Sequence, residues 1–113
     1  MPQSTTRGTS RGPIGIDLHL RIRLAPAQRE PFFAFLREAI PFYERPGGIR
    51  VELLADAADD HRFIEVVHYA TELDYQRDQA RVANDPTMKE ILERWRAFLA
   101  EPPIVETYQR HTL

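Results

Sequence analysis

Apolar residues alternate with polar ones from Ile16 to Leu24: Ile16, Leu18, Leu20, Ile22 and Leu24 share one parity, and Asp17, His19, Arg21 and Arg23 share the other. A period of two places the two sets on opposite faces of a β-strand. The same period recurs in Ile49, Val51 and Leu53 against Arg50 and Glu52, which predicts a second, half-buried strand. Phe63, Ile64, Val66, Val67, Tyr69 and Ala70 then form a run that is apolar at both parities. This pattern predicts a central strand covered on both faces. The turn between these two strands, Ala55 to His61, holds Asp56, Asp59 and Asp60, whose side chains can bond nearby backbone N–H groups. It lacks the glycine and distal glutamate of a calcium-binding EF-hand loop, so a solvated turn is expected.

Between the first two strands the period lengthens. Phe32, Phe35, Leu36, Ala39, Ile40 and Tyr43 recur every three or four residues, as on one face of an amphipathic helix. Pro26 stops the strand before it, Pro31 falls in its first turn, and Glu44-Arg45-Pro46-Gly47-Gly48 ends it. After the hairpin, Thr71 is placed to cap a helix running through about Ala83, with Asp74 three residues on. Leu73, Ala80 and Ala83 give that helix only a thin apolar face, too little to be explained by core packing alone. Asp85 and Pro86 form a cap and a first residue for a further helix. It carries a strong apolar stripe of Met88, Ile91, Leu92, Trp95, Phe98 and Leu99. Pro102-Pro103 ends it, and Ile104 to Thr112 reads as a last strand. Residues 1–13, rich in Ser, Thr, Gly and Arg, have nothing apolar to bury and read as a flexible tail before a single domain at 14–113.

The order strand, helix, strand, strand, interrupted helix, strand is that of an α+β, ferredoxin-like split βαβ fold. Its four-stranded antiparallel sheet carries helices on one face. A third strand apolar at both parities would leave a large apolar patch on the other face. A second copy would cover it, so a homodimer is expected.

Length and composition narrow the function classes. At 113 residues the chain is long enough for one core and too short for two. A formal charge of −2 without a basic stripe lacks the electrostatic footprint of a nucleic-acid binder. With no cysteine, disulfides, thiolate metal sites and cysteine nucleophiles are excluded together. Ser4 and Ser10 are the only serines and both fall in the tail, which leaves no serine nucleophile in the fold. No apolar run reaches the ~18 residues that span a bilayer, and the N-terminus has no signal-peptide core. No membrane attachment and a cytoplasmic location are therefore expected.

The segment PGGIRVELLADAADDHRFIEVVHYAT, followed by a helix and then DPTMKEI, resembles the antibiotic biosynthesis monooxygenase family of dimeric α+β barrel proteins. The resemblance spans roughly Ile16 to Arg110. It implies a dimeric α+β barrel and cofactor-independent oxygenation of an aromatic or quinol-like substrate. In many members the short helix also carries a histidine a few residues before the Pro-led helix. The matching position here is Val82 counted back from Pro86, or Asp78 counted forward from Tyr69. Neither is histidine, so neither haem nor metal is expected.

Four residues are candidates for a site. His68, at the parity of Ile64, Val66 and Ala70, has an imidazole suited to act as catalytic base or hydrogen-bond donor. Its plain alternative is a hydrogen-bonded, partly buried histidine. His19 shares the polar parity of the first strand with Asp17, Arg21 and Arg23, which could line a cavity for an anionic or phenolic ligand or pair across strands. Tyr75 and Asp78 are three apart on the thin helix and could reach one ligand, although for Asp78 simple surface exposure explains the position as well. Trp95 belongs to the apolar stripe, with an indole N–H that needs one partner. Two functions follow. The first is a small cofactor-independent monooxygenase holding an aromatic or phenolic molecule between sheet and helices, with His68 as base and His19, Tyr75 and Asp78 binding the substrate. The alternative is a non-catalytic ligand-binding or structural dimer module.

Overall fold

A computed structural model describes residues 14–113; the tail expected at 1–13 lies outside the described residues. The elements are β1 (Ile16–Arg23), α1 (Arg29–Glu44), β2 (Ile49–Ala55), β3 (Arg62–Tyr69), α2 (Glu72–Asn84), α3 (Pro86–Ala97) and β4 (Ile104–Gln109). The strands form one antiparallel sheet in the order β2-β3-β1-β4, the split βαβ arrangement that the element order implies. β3 is central, as its apolar run requires. β4 is shorter than the sequence suggests: its pairing with β1 ends at Ile16 and Gln109, and beyond it, among the described residues, the Arg110 N–H donates to the Gly15 carbonyl at 3.0 Å.

Helix boundaries follow their caps. The Thr71 hydroxyl accepts the Asp74 N–H at 3.0 Å and starts α2. The Asp85 carboxylate accepts the N–H groups of Thr87 at 2.8 Å and Met88 at 3.4 Å and starts α3. After α1 the chain turns through Gly47 and Gly48, both at positive φ (84° and 72°), a conformation that side chains with a Cβ resist. Glu44, the last residue of α1, accepts the N–H of Val51 on edge strand β2 at 2.8 Å. That edge donor would otherwise be unpaired.

The helices cover the sheet face formed by Ile16, Leu18, Leu20 and Ile22 of β1, Val51 and Leu53 of β2, and Phe63, Glu65, Val67 and Tyr69 of β3. Phe32, Phe35, Leu36 and Tyr43 of α1 and Met88 and Trp95 of α3 complete the core. The opposite face carries Asp17, His19, Arg21, Arg50, Glu52, His68, Glu106 and Tyr108 beside Leu54, Ile64, Val66 and Ile104. Its apolar part is thus confined to one end. Its charges pair locally, Arg21 with Glu106 of the adjacent strand at 2.8 Å, while Arg23 pairs with Asp59 of the acidic turn at 3.0 Å. This face is more polar than a strand apolar at both parities suggests, because β3's neighbours contribute charged residues to it. The acidic turn is closed from within: Asp56 accepts the Ala58 N–H and Asp59 the His61 N–H. No helix among the described residues is long and apolar enough to cross a membrane.

Candidate functional site

A cavity of about 210 Å³ lies between the sheet and the helices. Its walls are Leu18, Leu20, Ile49, Val51 and Val67 from the sheet, Tyr43 from α1, Val82 from α2 and Met88, Leu92 and Trp95 from α3. Arg96, Pro103 and Val105 line it as well. Arg96 is exposed and Val105 is 56% exposed, so the cavity opens between α3 and the β4 edge. A mostly apolar hollow with a few converging polar groups is the usual form of a small-molecule site. Here the polar groups are Glu65, Asp78, Tyr69, Tyr43 and Gln79, with Arg96 at the mouth.

Glu65 is the group that sequence reasoning missed. It sits in the middle of β3 at the parity of Phe63, Val67 and Tyr69, between Leu20 and Leu53 in the register, and is only 3% exposed. The Trp95 indole N–H donates to Glu65 Oε1 at 2.9 Å. Burial pushes the carboxyl up from 4.5 to about 7, with the Trp95 hydrogen bond opposing the shift. A carboxylic acid poised near neutrality inside an apolar cavity can take or give a proton under ordinary conditions. The signal in the sequence was a charged residue at the core parity of the most apolar strand, opposite a core tryptophan in need of an acceptor.

Asp78 lines the same cavity but is not the surface carboxylate that its sequence context allows. It is 9% exposed. The Tyr69 hydroxyl donates to its Oδ2 at 2.5 Å, and Arg81 Nη2 and Nε reach its Oδ1 at 2.9 and 3.2 Å. Arg81 also donates to the carbonyls of Phe42 and Tyr43 at 3.0 and 2.7 Å. These are among the last carbonyls of α1, which have no partner within the helix. The polar content of α2 thus ties α2 to α1 and β3. Tyr75 stands edge-on to Tyr69, ring centroids 5.3 Å apart. Tyr75 and Asp78 do converge, but on Tyr69. The Tyr69 hydroxyl is held strongly protonated, first by burial and then by its bond to Asp78. Tyr43 is likewise pushed upward, first by burial and then by the charges of Glu65 and Asp78.

His68 and His19 lie on the other face of the sheet, so the expectation that His68 serves as base between sheet and helices is corrected. His68 Nδ1 lies 2.8 Å from Asp17 Oδ1 and Nε2 lies 2.5 Å from Glu52 Oε1. Arg110 also bonds Asp17 and donates to the Tyr69 carbonyl at 2.8 Å. His68 is a cross-strand link between β1 and β2 over β3. His19 stacks edge-on against Tyr108 of β4, centroids 5.0 Å apart. Parity had shown which residues share a face but not which face the helices cover. A wider hollow of about 600 Å³ on this open face is lined by Arg21, Arg23 and Arg62, each already paired with a carboxylate. Among the described residues no cluster of three or more histidine, aspartate or glutamate side chains is arranged to hold a metal ion.

No protein-family model and no curated protein matches the chain. Solved structures do. An antibiotic biosynthesis monooxygenase-like protein from Bordetella bronchiseptica superposes with a TM-score of 0.65 at 24% identity, over 88% of this chain and 99% of that one. One from Nitrosomonas europaea gives 0.68 at 19% identity, over 83% and 88%. SnoaB, a cofactor-independent oxygenase from Streptomyces nogalater, determined as a mutant, gives 0.66 at 16%, over 87% and 92%. At these identities the likeness establishes architecture, and it agrees with the resemblance carried by the PGG entry, the acidic turn and the Pro-led helix. The chain has the ferredoxin-like α+β fold of the antibiotic biosynthesis monooxygenase-like proteins.

Proposed function

We propose that the protein binds a small hydroxylated aromatic molecule, phenolic or quinol-like, in the cavity between sheet and helices, and oxygenates it without a bound cofactor. The observation that carries this reading is the cavity itself: an apolar hollow of about 210 Å³ with a buried, titratable carboxylate in its wall. Roughly 150 Å³ is enough to hold benzene, so the volume suits one substituted ring or two small fused ones. Likeness in fold to SnoaB supports the reaction class. The open sheet face, with Leu54 and Ile104 exposed beside Ile64 and Val66, supports a homodimer whose two copies meet there.

The protein has a single tryptophan, and it lines the cavity. Fluorescence of Trp95 titrated with a panel running from phenol to dihydroxynaphthalenes tests binding directly. A saturable change for some member is expected, and no change for any member would remove the ligand site. Dioxygen uptake with the tightest-binding quinol tests the chemistry. Binding without uptake would leave a non-catalytic binding module.

A further inference from the structure

The buried carboxyl in the cavity wall is half satisfied. Glu65 projects from the centre of the sheet among Leu20, Leu53 and Val67, and Trp95 holds its Oε1. Among the described residues no second donor reaches its carboxylate. The charged and titratable groups around it come from three helices. α1 brings Tyr43, α2 brings Asp78 with its Arg81 counter-ion, and α3 brings Arg94 near Tyr43 and Arg96 at the mouth. Asp78 is engaged by Tyr69 and Arg81, which leaves Glu65 as the carboxylate with an oxygen to offer a ligand. A buried carboxylate oxygen without a donor is costly. A ligand hydroxyl entering past Val105 would supply the missing donor.

We propose that Glu65 is the catalytic proton acceptor of this cavity, and that its substrate is a neutral aromatic molecule whose acidic O–H is directed at Glu65 Oε2. The proton passes from the ligand oxygen to Oε2, the O–H bonding pair stays on the ligand oxygen, and Trp95 keeps Oε1 in place during the transfer. This inference rests on the cavity being a ligand site. Phenols rather than carboxylic acids fit, because a carboxylic acid already ionised at neutral pH has no O–H left to give to Glu65. The raised carboxyl also suits the task. A phenol near ~10 faces an acceptor at about 7, so the transfer is uphill by roughly 10³ rather than the roughly 10⁶ of an ordinary glutamate. Tyr43, kept protonated first by its burial, lines the same cavity.

Two measurements on the full chain test the proposal. In ligand-free protein, Trp95 emission followed from pH 5 to pH 9 should change with a midpoint near 7, because its N–H partner gains charge. That transition should vanish in Glu65→Gln. Its persistence in the variant, or its absence from the wild type, would overturn the proposal. Phenol and toluene are then titrated at pH 5.5 and pH 8.5. Phenol affinity should rise on the order of tenfold with pH in the wild type, as expected for a hydrogen bond to a carboxylate in place of a carboxylic acid. It should be flat in Glu65→Gln, and toluene affinity flat in both. Equal pH dependence of phenol binding in both proteins refutes the role of Glu65 while leaving the ligand site standing. Failure of both probes to bind removes the site and the role together. Should the glutamine variant not fold, Glu65→Leu, which matches the apolar neighbours, carries the same expectations.

Discussion

Glu65 should make the protein less stable as pH rises through the neutral range, which is unusual for a carboxylate. In the native state burial holds its carboxyl at about 7, against 4.5 for an ordinary glutamate. Between these values the native protein retains a proton that the unfolded chain has released. Stability from this group is therefore fully present below about 4.5 and is lost as pH rises through about 7. The distance between the two values, at roughly 1.4 kcal/mol for each pH unit, corresponds to about 3 kcal/mol. Asp59 and Glu106 act in the opposite sense and in a different window. Asp59 is lowered by its bond to the His61 backbone, and Glu106 by its hydrogen bond to Arg21, so their stability is lost only under more acid conditions. Urea denaturation of wild type and Glu65→Gln at pH 5, 6, 7 and 8 isolates the term, since every other group is common to both proteins. The glutamine carbonyl can still accept the Trp95 N–H. Relative to wild type the variant should gain about 3 kcal/mol between pH 5 and pH 8, a shift of about 1.5 M in midpoint for an m-value near 2 kcal/mol/M. A difference between the two proteins that stays constant with pH would show that Glu65 titrates as it does in the unfolded chain.

Arg81→Ala should destabilise the fold by about 3 kcal/mol in chemical denaturation, because Asp78 is left buried with only Tyr69 and two carbonyls at the end of α1 lose their donor. His68→Ala should cost about 1–2 kcal/mol, by bringing Asp17 and Glu52 together without the ring between them. It should leave phenol binding, read from Trp95 emission, unchanged, and a selective loss of binding would return His68 to the site. Ile64→Glu should convert the proposed dimer to a folded monomer by light scattering, since Ile64 lies on the open face opposite Leu54 and Arg21. Wild type that is already monomeric at micromolar concentration would remove the interface.

The fold was legible because its signals are local. Parity marked β1, the PGG segment supplied the positive φ values before β2, and Thr71 and Asp85 each had a side chain that could only be useful at a helix start. The site was less legible because it depends on which side of the sheet the helices take. Parity groups Phe63, Val67 and Tyr69 apart from Ile64, Val66 and His68, yet both sets on β3 are apolar enough to face a helix. The choice falls to partners distant in sequence: Phe32 against Phe63, Trp95 against Glu65 and Tyr69 against Asp78. With that choice His68 moved to the open face and Glu65 moved into the cavity. The apolar face of α2 is thin for a different reason, since Arg81 and Asp78 replace apolar contacts with a part-buried ion pair.

Position 65 also bears on whether the fold is a scaffold alone. Its neighbours across the strands are Leu20 and Leu53, and nothing in the packing of a ferredoxin-like core asks for a carboxylate there. A leucine would remove the desolvation cost and the partner that Trp95 must provide, and Trp95 could be phenylalanine. Natural sequences break such local rules mainly at functional sites, at a cost in stability. Glu65→Leu combined with Trp95→Phe should therefore exceed wild-type stability at pH 8, because charge and donor leave together, leucine fills the space of the carboxylate, and the smaller phenylalanine only widens a cavity that is already open. If this double variant is instead much less stable than wild type, the Glu65–Trp95 pair is a structural link between β3 and α3, and the carboxylate needs no ligand to account for its position.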